Sequence, residues 1–237
     1  MLNIIIIGGF CFNEKPLQFI MALASSSTKI RFIDINQFPA AATLDDMGEY
    51  VINIINKDKE LATNILVAYS MGGLIALNAA LKNLNLITKI ILLNSTPKFI
   101  ESTNWLGIKK ADLLDLQNKL EVGSIENFRK YFTALVVFPK RLRDETMYFS
   151  YYSETSVAQL KNLLQVIAVA DFRANLDIVS KKLVLINATD DVLVKNNNLQ
   201  LNSHYINNAS HLDLNNFQDI IVQIIEAEER VYKFNTR

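Results

Sequence analysis

Short apolar runs alternate along the chain with longer segments in which apolar residues recur at helical spacing. Each run is rich in Ile, Leu and Val, as in strands that are buried on both faces of a sheet. The pattern predicts strands at 3–7, 30–33, 64–68, 89–93, 182–187 and 204–206. It predicts helices at 14–24, 44–55, 72–84, 196–201 and 217–232. This alternation is typical of an α/β protein that has a mainly parallel central sheet with helices on both faces.

The alternation of strands and helices stops between residues 98 and 170. Amphipathic stretches replace the strands there, at 109–120, 125–137, 141–150 and 155–168. A helical block between two strands is a common form of lid above an active site. The sequence therefore predicts a core of residues 1–97 and 171–237, with a helical lid inserted at 98–170.

The length, charge balance and cysteine count of the chain exclude several classes of protein. The chain has 237 residues, half of them hydrophobic, which suits one α/β domain. Lys and Arg number 24, as do Asp and Glu, so a whole-surface attraction to nucleic acid or anionic membrane is excluded. The single cysteine, Cys11, excludes internal disulfides, and the first apolar run ends at Gly8, which is too short for a membrane span. We expect a soluble, cytoplasmic protein without a targeting peptide and without nucleic-acid or membrane partners.

The strongest local motif is Ala-Tyr-Ser-Met-Gly at 68–72, directly after a predicted strand and before a predicted helix. A nucleophile elbow has this form, with small residues two before and two after the serine, and Ala68 here replaces the usual first glycine. The turn would direct the Ser70 hydroxyl towards a helix N-terminus, where the Met71 N–H stabilises an oxyanion. The alternative is that Ser70 only caps the helix.

A serine nucleophile needs a general base, and the chain has two histidines. His211 follows the last predicted strand, whereas His204 begins that strand and is better explained as a structural residue. Asp190 and Asp191 follow the preceding strand, where one carboxylate would orient the imidazole. The order Ser, Asp, His at the carboxyl ends of strands predicts that Ser70 is the nucleophile and His211 the base.

The loop after the first strand, Gly-Gly-Phe-Cys at 8–11, is the expected source of a second oxyanion donor, the N–H of Phe10. A plain glycine turn is the alternative. A phosphate-binding loop is excluded, because neither Gly-x-Gly-x-x-Gly nor Gly-Lys-Ser/Thr follows. Cys11 as a nucleophile has only its loop position in its favour.

Together these motifs resemble the α/β-hydrolases, and within them the pimeloyl-[acyl-carrier protein] methyl ester esterases of biotin synthesis. The segments that carry the resemblance lie at 69–76, 94–99, 105–109, 125–128 and 170–176. The most specific is Trp-Leu-Gly-Ile-Lys at 105–109, which generic hydrolase chemistry does not require. Gly8 stands where these esterases have His, and Tyr69 stands where they have Trp beside the nucleophile. Both departures bear on substrate specificity rather than on the reaction.

The resemblance implies a serine carboxylesterase that cleaves the methyl ester of a pimeloyl chain held by an acyl carrier protein, without metal or organic cofactor. It favours Asp190 over Asp191 as the acid of a catalytic triad. It implies substrate contacts for four aromatic residues: Tyr69, Trp105, Phe128 and Phe132. The alternatives are a general short-chain carboxylesterase or thioesterase, and a non-catalytic binding protein of the same fold.

Acyl carrier proteins are acidic, so a basic docking surface is expected near the lid. The segment 129–143 carries five basic residues and no acidic one. These are Arg129, Lys130, Lys140, Arg141 and Arg143. A solvated helix face is the alternative explanation of the segment.

Overall fold

A computed structural model describes residues 1–24, 27–58, 63–140, 145–197 and 199–235. The strands are β1 (Leu2–Ile7), β2 (Thr28–Ile33), β3 (Thr63–Tyr69), β4 (Lys89–Leu93), β5 (Leu183–Ala188) and β6 (Asn202–Ile206). The helices are α1 (Gln18–Met21), α2 (Leu44–Lys57), α3 (Gly72–Lys82), α4 (Lys110–Val122), α5 (Ile125–Val137), α6 (Glu145–Phe149), α7 (Val157–Val169), α8 (Leu176–Val179) and α9 (Gln218–Asn235). Short 3₁₀ helices lie at Lys15–Leu17, Ile35–Gln37, Leu84–Leu86, Arg173–Asn175, Ser180–Lys182 and Leu214–Phe217.

The six strands form one parallel sheet in the order β2-β1-β3-β4-β5-β6. β1, β3 and β5 are buried along their whole length, whereas the edge strands β2 and β6 are partly exposed. The prediction of a mainly parallel α/β sheet is confirmed. The chain runs from β1 outward to β2 and then returns to β3 on the other side of β1. The loops after β1 and β3 therefore diverge, which opens a crevice at the carboxyl ends of these strands.

Helices cover the sheet with their apolar sides. In α2 the side chains of Met47, Val51 and Ile55 are buried on one stripe, and this helix packs against α3. α3 also contacts β1, β3 and β4, and α9 contacts β3. No helix in the described part of the chain is both long enough and apolar enough to cross a bilayer.

The inserted segment is closed at its base by a polar cluster. Lys98 forms an ion pair of 2.9 Å with Asp171, and Arg173 donates three hydrogen bonds to the same carboxylate, two from its guanidinium and one from its backbone N–H. The Arg173 guanidinium lies 5.4 Å from the ring centre of Trp105, whose indole N–H donates to the Lys98 carbonyl. The cluster therefore joins the two ends of the predicted lid, and between them the structure contains helices α4 to α7.

Two predicted helices differ from the structure. The predicted helix at 14–24 is divided into a 3₁₀ turn and the short α1. The prediction of a helix at 196–201 is wrong, because the described residues of that segment are not helical. The Asn197 amide exchanges two hydrogen bonds with the backbone of Leu106, and Asn196 accepts one from the Tyr205 hydroxyl. Asparagine side chains that bond outside the segment in this way oppose helix formation.

Candidate active site

Ser70 occupies a strained turn between β3 and α3. Its φ angle is 53°, a left-handed conformation that residues other than glycine rarely adopt. The Ser70 N–H donates to the Leu93 carbonyl at 2.9 Å, and the Ser70 carbonyl accepts hydrogen bonds from Gly73 N–H and Ser95 Oγ. The turn is thus held by β4 on one side and by α3 on the other.

The requirement for small residues around Ser70 is visible in the packing. A Cβ added to Gly72 would come within 3.0 Å of the carbonyl oxygens of Ile7 and Gly8 at the end of β1. Backbone atoms cannot move aside as a flexible side chain can, so only glycine fits there. Ala68, two residues before Ser70, is fully buried in β3 and pairs with Ile7, so its single methyl group is accommodated.

His211 bridges Ser70 to a carboxylate. Its Nε2 lies 2.9 Å from Ser70 Oγ, and its Nδ1 lies 2.6 Å from Oδ2 of Asp191. A carboxylate can only accept, so Nδ1 donates to Asp191 and the neutral ring presents Nε2 as acceptor for the serine hydroxyl. All three residues are at least 94% buried, with relative exposures of 6%, 1% and 4% for Ser70, His211 and Asp191. The arrangement can remove a proton from Ser70 and return it.

The carboxylate that contacts His211 belongs to Asp191, so the prediction that Asp190 occupies this position is wrong. Oδ1 of Asp191 accepts hydrogen bonds from the N–H groups of Leu193 (2.8 Å) and Val194 (3.0 Å). This side-chain-capped turn fixes the carboxylate and leaves Oδ2 directed at the imidazole. Asp-x-Leu-Val in the sequence is compatible with such a turn, but it does not by itself distinguish between two adjacent aspartates.

Asp190 has a different environment. Its backbone N–H donates to the Ala209 carbonyl at 3.1 Å, one residue after Thr189 N–H donates to Ile206. Its side chain is partly exposed and accepts a hydrogen bond from the Thr189 hydroxyl. The backbone bonding of β5 and β6 therefore continues through Asp190, and its carboxylate binds a neighbouring hydroxyl instead of His211.

The backbone of His211 is held by two residues from neighbouring strand ends. The Tyr69 hydroxyl donates to the His211 carbonyl at 3.1 Å, and the Asn94 amide donates to it at 2.8 Å. Asn94 has a φ of 43°, and its Oδ1 accepts from the Ala188 N–H, so it is itself fixed. Burial, and next the charge of Asp191, raise the pKa of Tyr69 well above its usual value, which keeps the phenol a donor. Sequence reasoning assigned Tyr69 to the substrate and missed this role.

The loop after β1 lies beside Ser70. A Cβ added to Gly9 would be 3.3 Å from the Ser70 Cβ, so the two backbones approach closely. Neither the Phe10 N–H nor the Met71 N–H donates to an acceptor within the described residues, and both residues are buried. Of the two predicted oxyanion donors, Phe10 therefore lies in the loop that approaches Ser70, and Met71 directly follows Ser70 in the chain.

Asn36 holds the loop after β1 in place, and the sequence analysis missed it. Its amide donates to the carbonyls of Gly9 (3.2 Å) and Phe12 (3.0 Å), and its Oδ1 accepts from the Cys11 N–H at 2.6 Å. Asn36 is fully buried. The only signal in the sequence is a polar residue just after the end of β2, which many surface turns share.

Two of the predicted substrate residues pack over this loop. The Phe10 ring meets Phe128 edge-on at 6.1 Å and Phe132 edge-on at 5.2 Å, both from α5. α5 thus covers the loop that carries Phe10. Trp105 has a different position: its hydrogen bond and its cation contact are with Lys98 and Arg173 at the base of the inserted segment.

Arg129 does not form part of an exposed docking surface, which corrects the prediction. Its guanidinium donates to the Ser153 carbonyl at 2.5 Å and lies 4.9 Å from the ring centre of Tyr152. Its Nε is buried and has no hydrogen-bond partner in the described part of the chain. The side chain therefore joins α5 to the segment before α7.

The other predicted docking residues are divided. Lys130 is exposed on α5, with its ammonium 5.9 Å from the Phe149 ring centre. Lys140 forms an ion pair of 2.8 Å with Asp213. Arg141 and Arg143 lie outside the described residues. The three predicted docking residues that the structure describes thus differ, since Arg129 is partly buried, Lys130 is exposed and Lys140 is paired with an acidic side chain.

A groove of about 380 Å³ borders the loop that carries His211. Its lining combines charged and amide side chains with apolar and aromatic ones. The lining residues are Lys15, Pro16, Gln18, Phe19, Lys140, Met147, Tyr148, Tyr151 and Leu212 to Asn216. No three His, Cys or carboxylate side chains of the described residues are grouped so that they could hold a metal ion.

Comparisons with known proteins identify the family and the fold. Residues 8–221 match the family model described as alpha/beta hydrolase fold. The chain is 24% identical over 196 residues to the pimeloyl-[acyl-carrier protein] methyl ester esterase of Wigglesworthia glossinidia brevipalpis, a match that covers 81% of this chain and 76% of that protein. It is 28% identical over 121 residues to the protein of that name from Aliivibrio salmonicida, covering 50% of this chain and 46% of the relative. An esterase (EaEST) from Exiguobacterium antarcticum has the same fold, with a TM-score of 0.81 at 17% identity over 95% of this chain and 92% of that one.

The thiol of Cys11 is expected to be inert in the folded protein. Cys11 is fully buried, and this burial raises the pKa of its thiol to about 12, so almost no thiolate is present at pH 8. Iodoacetamide at pH 8 should leave the native chain unmodified and should alkylate it once after denaturation in urea, as measured by mass spectrometry. A Ser102→Cys variant, whose position is exposed, should be alkylated in the native state. Rapid native modification of Cys11 would contradict its burial.

Proposed function

This chain belongs to the alpha/beta hydrolase family, and we propose that it is a serine carboxylesterase that hydrolyses the methyl ester of a pimeloyl chain bound to an acyl carrier protein. The observation that carries the proposal is the bridge of His211 between Ser70 and Asp191, at 2.9 Å and 2.6 Å. A serine, a histidine and a carboxylate in this order of contact are the parts that ester hydrolysis by a covalent route requires.

In the first half of the proposed reaction, Ser70 Oγ attacks the ester carbonyl carbon while its proton passes to Nε2 of His211. The carbonyl oxygen becomes an oxyanion, and the N–H groups of Phe10 and Met71 stabilise its charge. The C–O bond to the methoxy group then breaks, and the His211 proton passes to the leaving oxygen, so that methanol departs. The acyl group remains as an ester on Ser70.

In the second half, water repeats the sequence at the acyl-enzyme. His211 takes a proton from the water, whose oxygen attacks the acyl carbon. The bond to Ser70 Oγ breaks, the serine recovers its proton from His211, and the free carboxylic acid leaves. Asp191 stays ionised throughout, because its part is to hold the ring orientation and to stabilise the imidazolium.

The substrate assignment has separate support. Two relatives that match 81% and 50% of this chain carry the name of the pimeloyl methyl ester esterase. The groove beside the His211 loop combines Lys15 with Met147, Tyr148 and Tyr151, so it offers both a basic group and apolar surface to a long acyl chain on an acidic carrier. An enzyme acting on carrier-bound acyl chains is expected in the cytoplasm.

Replacement of Ser70 by alanine tests the nucleophile. Ser70→Ala should lower kcat for a short p-nitrophenyl ester by about 10³-fold or more, because the covalent route is lost. A fluorophosphonate probe should label the unaltered chain at Ser70 and leave the variant unlabelled. Activity within tenfold of the unaltered chain would reject Ser70 as nucleophile.

The two adjacent aspartates provide a matched comparison. Asp191→Asn should lower kcat by about 10³- to 10⁴-fold, because an amide cannot hold the His211 tautomer that accepts the serine proton. Asp190→Asn should keep kcat within about twofold, because this carboxylate does not contact the histidine. Both values follow from initial rates on the same ester. Equal losses in the two variants would contradict the assignment of the acid.

Charge reversal at Lys15, which lines the groove, and at Lys130, which is exposed on α5, tests the carrier-bound substrate. Lys15→Glu and Lys130→Glu should each lower kcat/KM for the methyl ester of pimeloyl-carrier protein by about tenfold through weaker association, and leave short esters within about twofold. Lys181→Glu is the matched control, because Lys181 precedes β5 at the opposite end of the sheet. Equal kinetics for carrier-bound and free methyl esters in the unaltered chain would favour a general short-chain carboxylesterase.

A further inference from the structure

The residues around His211 form a turn that one carboxylate closes. Oδ2 of Asp213 accepts hydrogen bonds from both the N–H and the hydroxyl of Ser210, each at 2.6 Å. The Asp213 N–H returns a hydrogen bond to the Ser210 carbonyl at 3.3 Å. His211 lies inside this four-residue turn, so the position of its Cα depends on the closure.

The same turn is attached to the inserted helical segment at two points. Lys140, three residues after the end of α5, forms an ion pair of 2.8 Å with Oδ2 of Asp213. The Leu212 N–H donates to the carbonyl of Val136 in the last turn of α5 at 3.2 Å. Burial favours protonation of Asp213, but the hydrogen bonds from Lys140 and Ser210 outweigh it and lower the pKa of this carboxyl. Asp213 is therefore ionised at neutral pH and receives three donors on one oxygen.

We propose that Asp213 and Lys140 are positioning residues, which set the orientation of the His211 ring by linking the turn at 210–213 to the end of α5. Among the bonds of the described residues, neither side chain forms a hydrogen bond or ion pair with Ser70. The link passes from Lys140 through the Asp213 carboxylate to the backbone on both sides of His211. This inference rests on the proposed function of Ser70 and His211 as nucleophile and base.

The rate of the chemical step should therefore depend on Lys140, a residue of the inserted segment. His211 must hold two hydrogen bonds, to Ser70 and to Asp191, and a displacement of about 1 Å of a catalytic group costs up to about 10²-fold in rate. The His211 carbonyl is already fixed by Tyr69 and Asn94. The Asp213 link fixes the chain on either side of it, and so restricts the remaining rotation of the turn.

The test uses the full-length chain and a short p-nitrophenyl ester, so that carrier docking has no part in the result. Lys140→Met keeps the length of the side chain and removes its charge, whereas Lys140→Arg keeps the ion pair. Asp213→Asn keeps the size of the side chain and removes the charge. The matched control is Lys161→Met, because Lys161 forms a comparable half-exposed ion pair with Glu121 between α7 and α4 and does not bond to the turn at 210–213.

We expect Lys140→Met and Asp213→Asn to lower kcat by about tenfold with KM within about twofold, because ring orientation affects the transition state more than substrate binding. Lys140→Arg and Lys161→Met should keep kcat within about twofold. The far-downfield proton resonance of the His211–Asp191 hydrogen bond should shift or broaden only in the two impaired variants. A thermal unfolding curve for each variant shows whether it is folded, and Lys140→Met, at a half-exposed position, carries the test if Asp213→Asn does not fold.

Two results would overturn the inference. In the first, Lys140→Met keeps both kcat and the downfield resonance of the unaltered chain. In the second, Lys161→Met loses as much activity as Lys140→Met, which would show that any weakened contact in the helical segment has the same effect. Failure of the proposed function would be seen in a different experiment. An active Ser70→Ala variant would reject Ser70 as the nucleophile, whatever the variants of Lys140 and Asp213 show.

Discussion

The close approach of α3 to the end of β1 is the constraint on which the rest of the site depends. Gly72 lies against the carbonyl oxygens of Ile7 and Gly8, with no room for a side chain. The chain can leave β3 and enter α3 at this distance only through a sharp turn, and Ser70 takes the left-handed conformation at its apex. Such a conformation costs free energy, on the order of 1–3 kcal/mol, so it must be over-determined by its surroundings. The contacts of the turn with the sheet on one side and the helix on the other hold it in this conformation.

The same strand ends that fix the serine also bring the histidine to it. Tyr69, adjacent to Ser70 in the chain, donates to the His211 carbonyl. The two residues that follow β4 hold both catalytic residues in place, because Ser95 donates a hydrogen bond to the Ser70 carbonyl and Asn94 donates one to the His211 carbonyl. β6 lies at the edge of the sheet, three strands from β3. The loop after β6 must therefore return across the sheet, and these hydrogen bonds determine where it stops.

Much of the fold could be predicted from the sequence, because buried parallel strands and amphipathic helices leave different hydrophobic periods. The serine turn could be predicted for a related reason, since its small residues are a packing requirement. The orientation of Arg129 could not be predicted from charge alone. Thr133, one helical turn further along α5, is 3% exposed, which places Arg129 beside the buried stripe of that helix. Helical spacing therefore indicated that Arg129 lies beside the buried side of α5, whereas the count of basic residues suggested an exposed surface.

The choice between Asp190 and Asp191 shows where sequence reasoning fails physically. Adjacent residues at a strand end direct their side chains differently. Which of the two aspartates faces His211 therefore depends on the residue at which the backbone pairing ends. That point is set by Ala209 and Ile206, which lie in a distant part of the chain and accept the N–H groups of Asp190 and Thr189. No local pattern encodes it.

Because Asp191 is buried, its carboxylate depends on hydrogen-bond donors supplied by the surrounding protein. An ionised carboxylate away from water is stable only when donors surround it. Two backbone N–H groups bind Oδ1, and the imidazole N–H binds Oδ2. The turn that begins at Asp191 thus stabilises the charge before the histidine contributes, and the remaining oxygen is satisfied only if His211 presents Nδ1–H to it. The same requirement leaves Nε2 as the acceptor for Ser70, so the electrostatic cost of a buried acid determines the tautomer of the base.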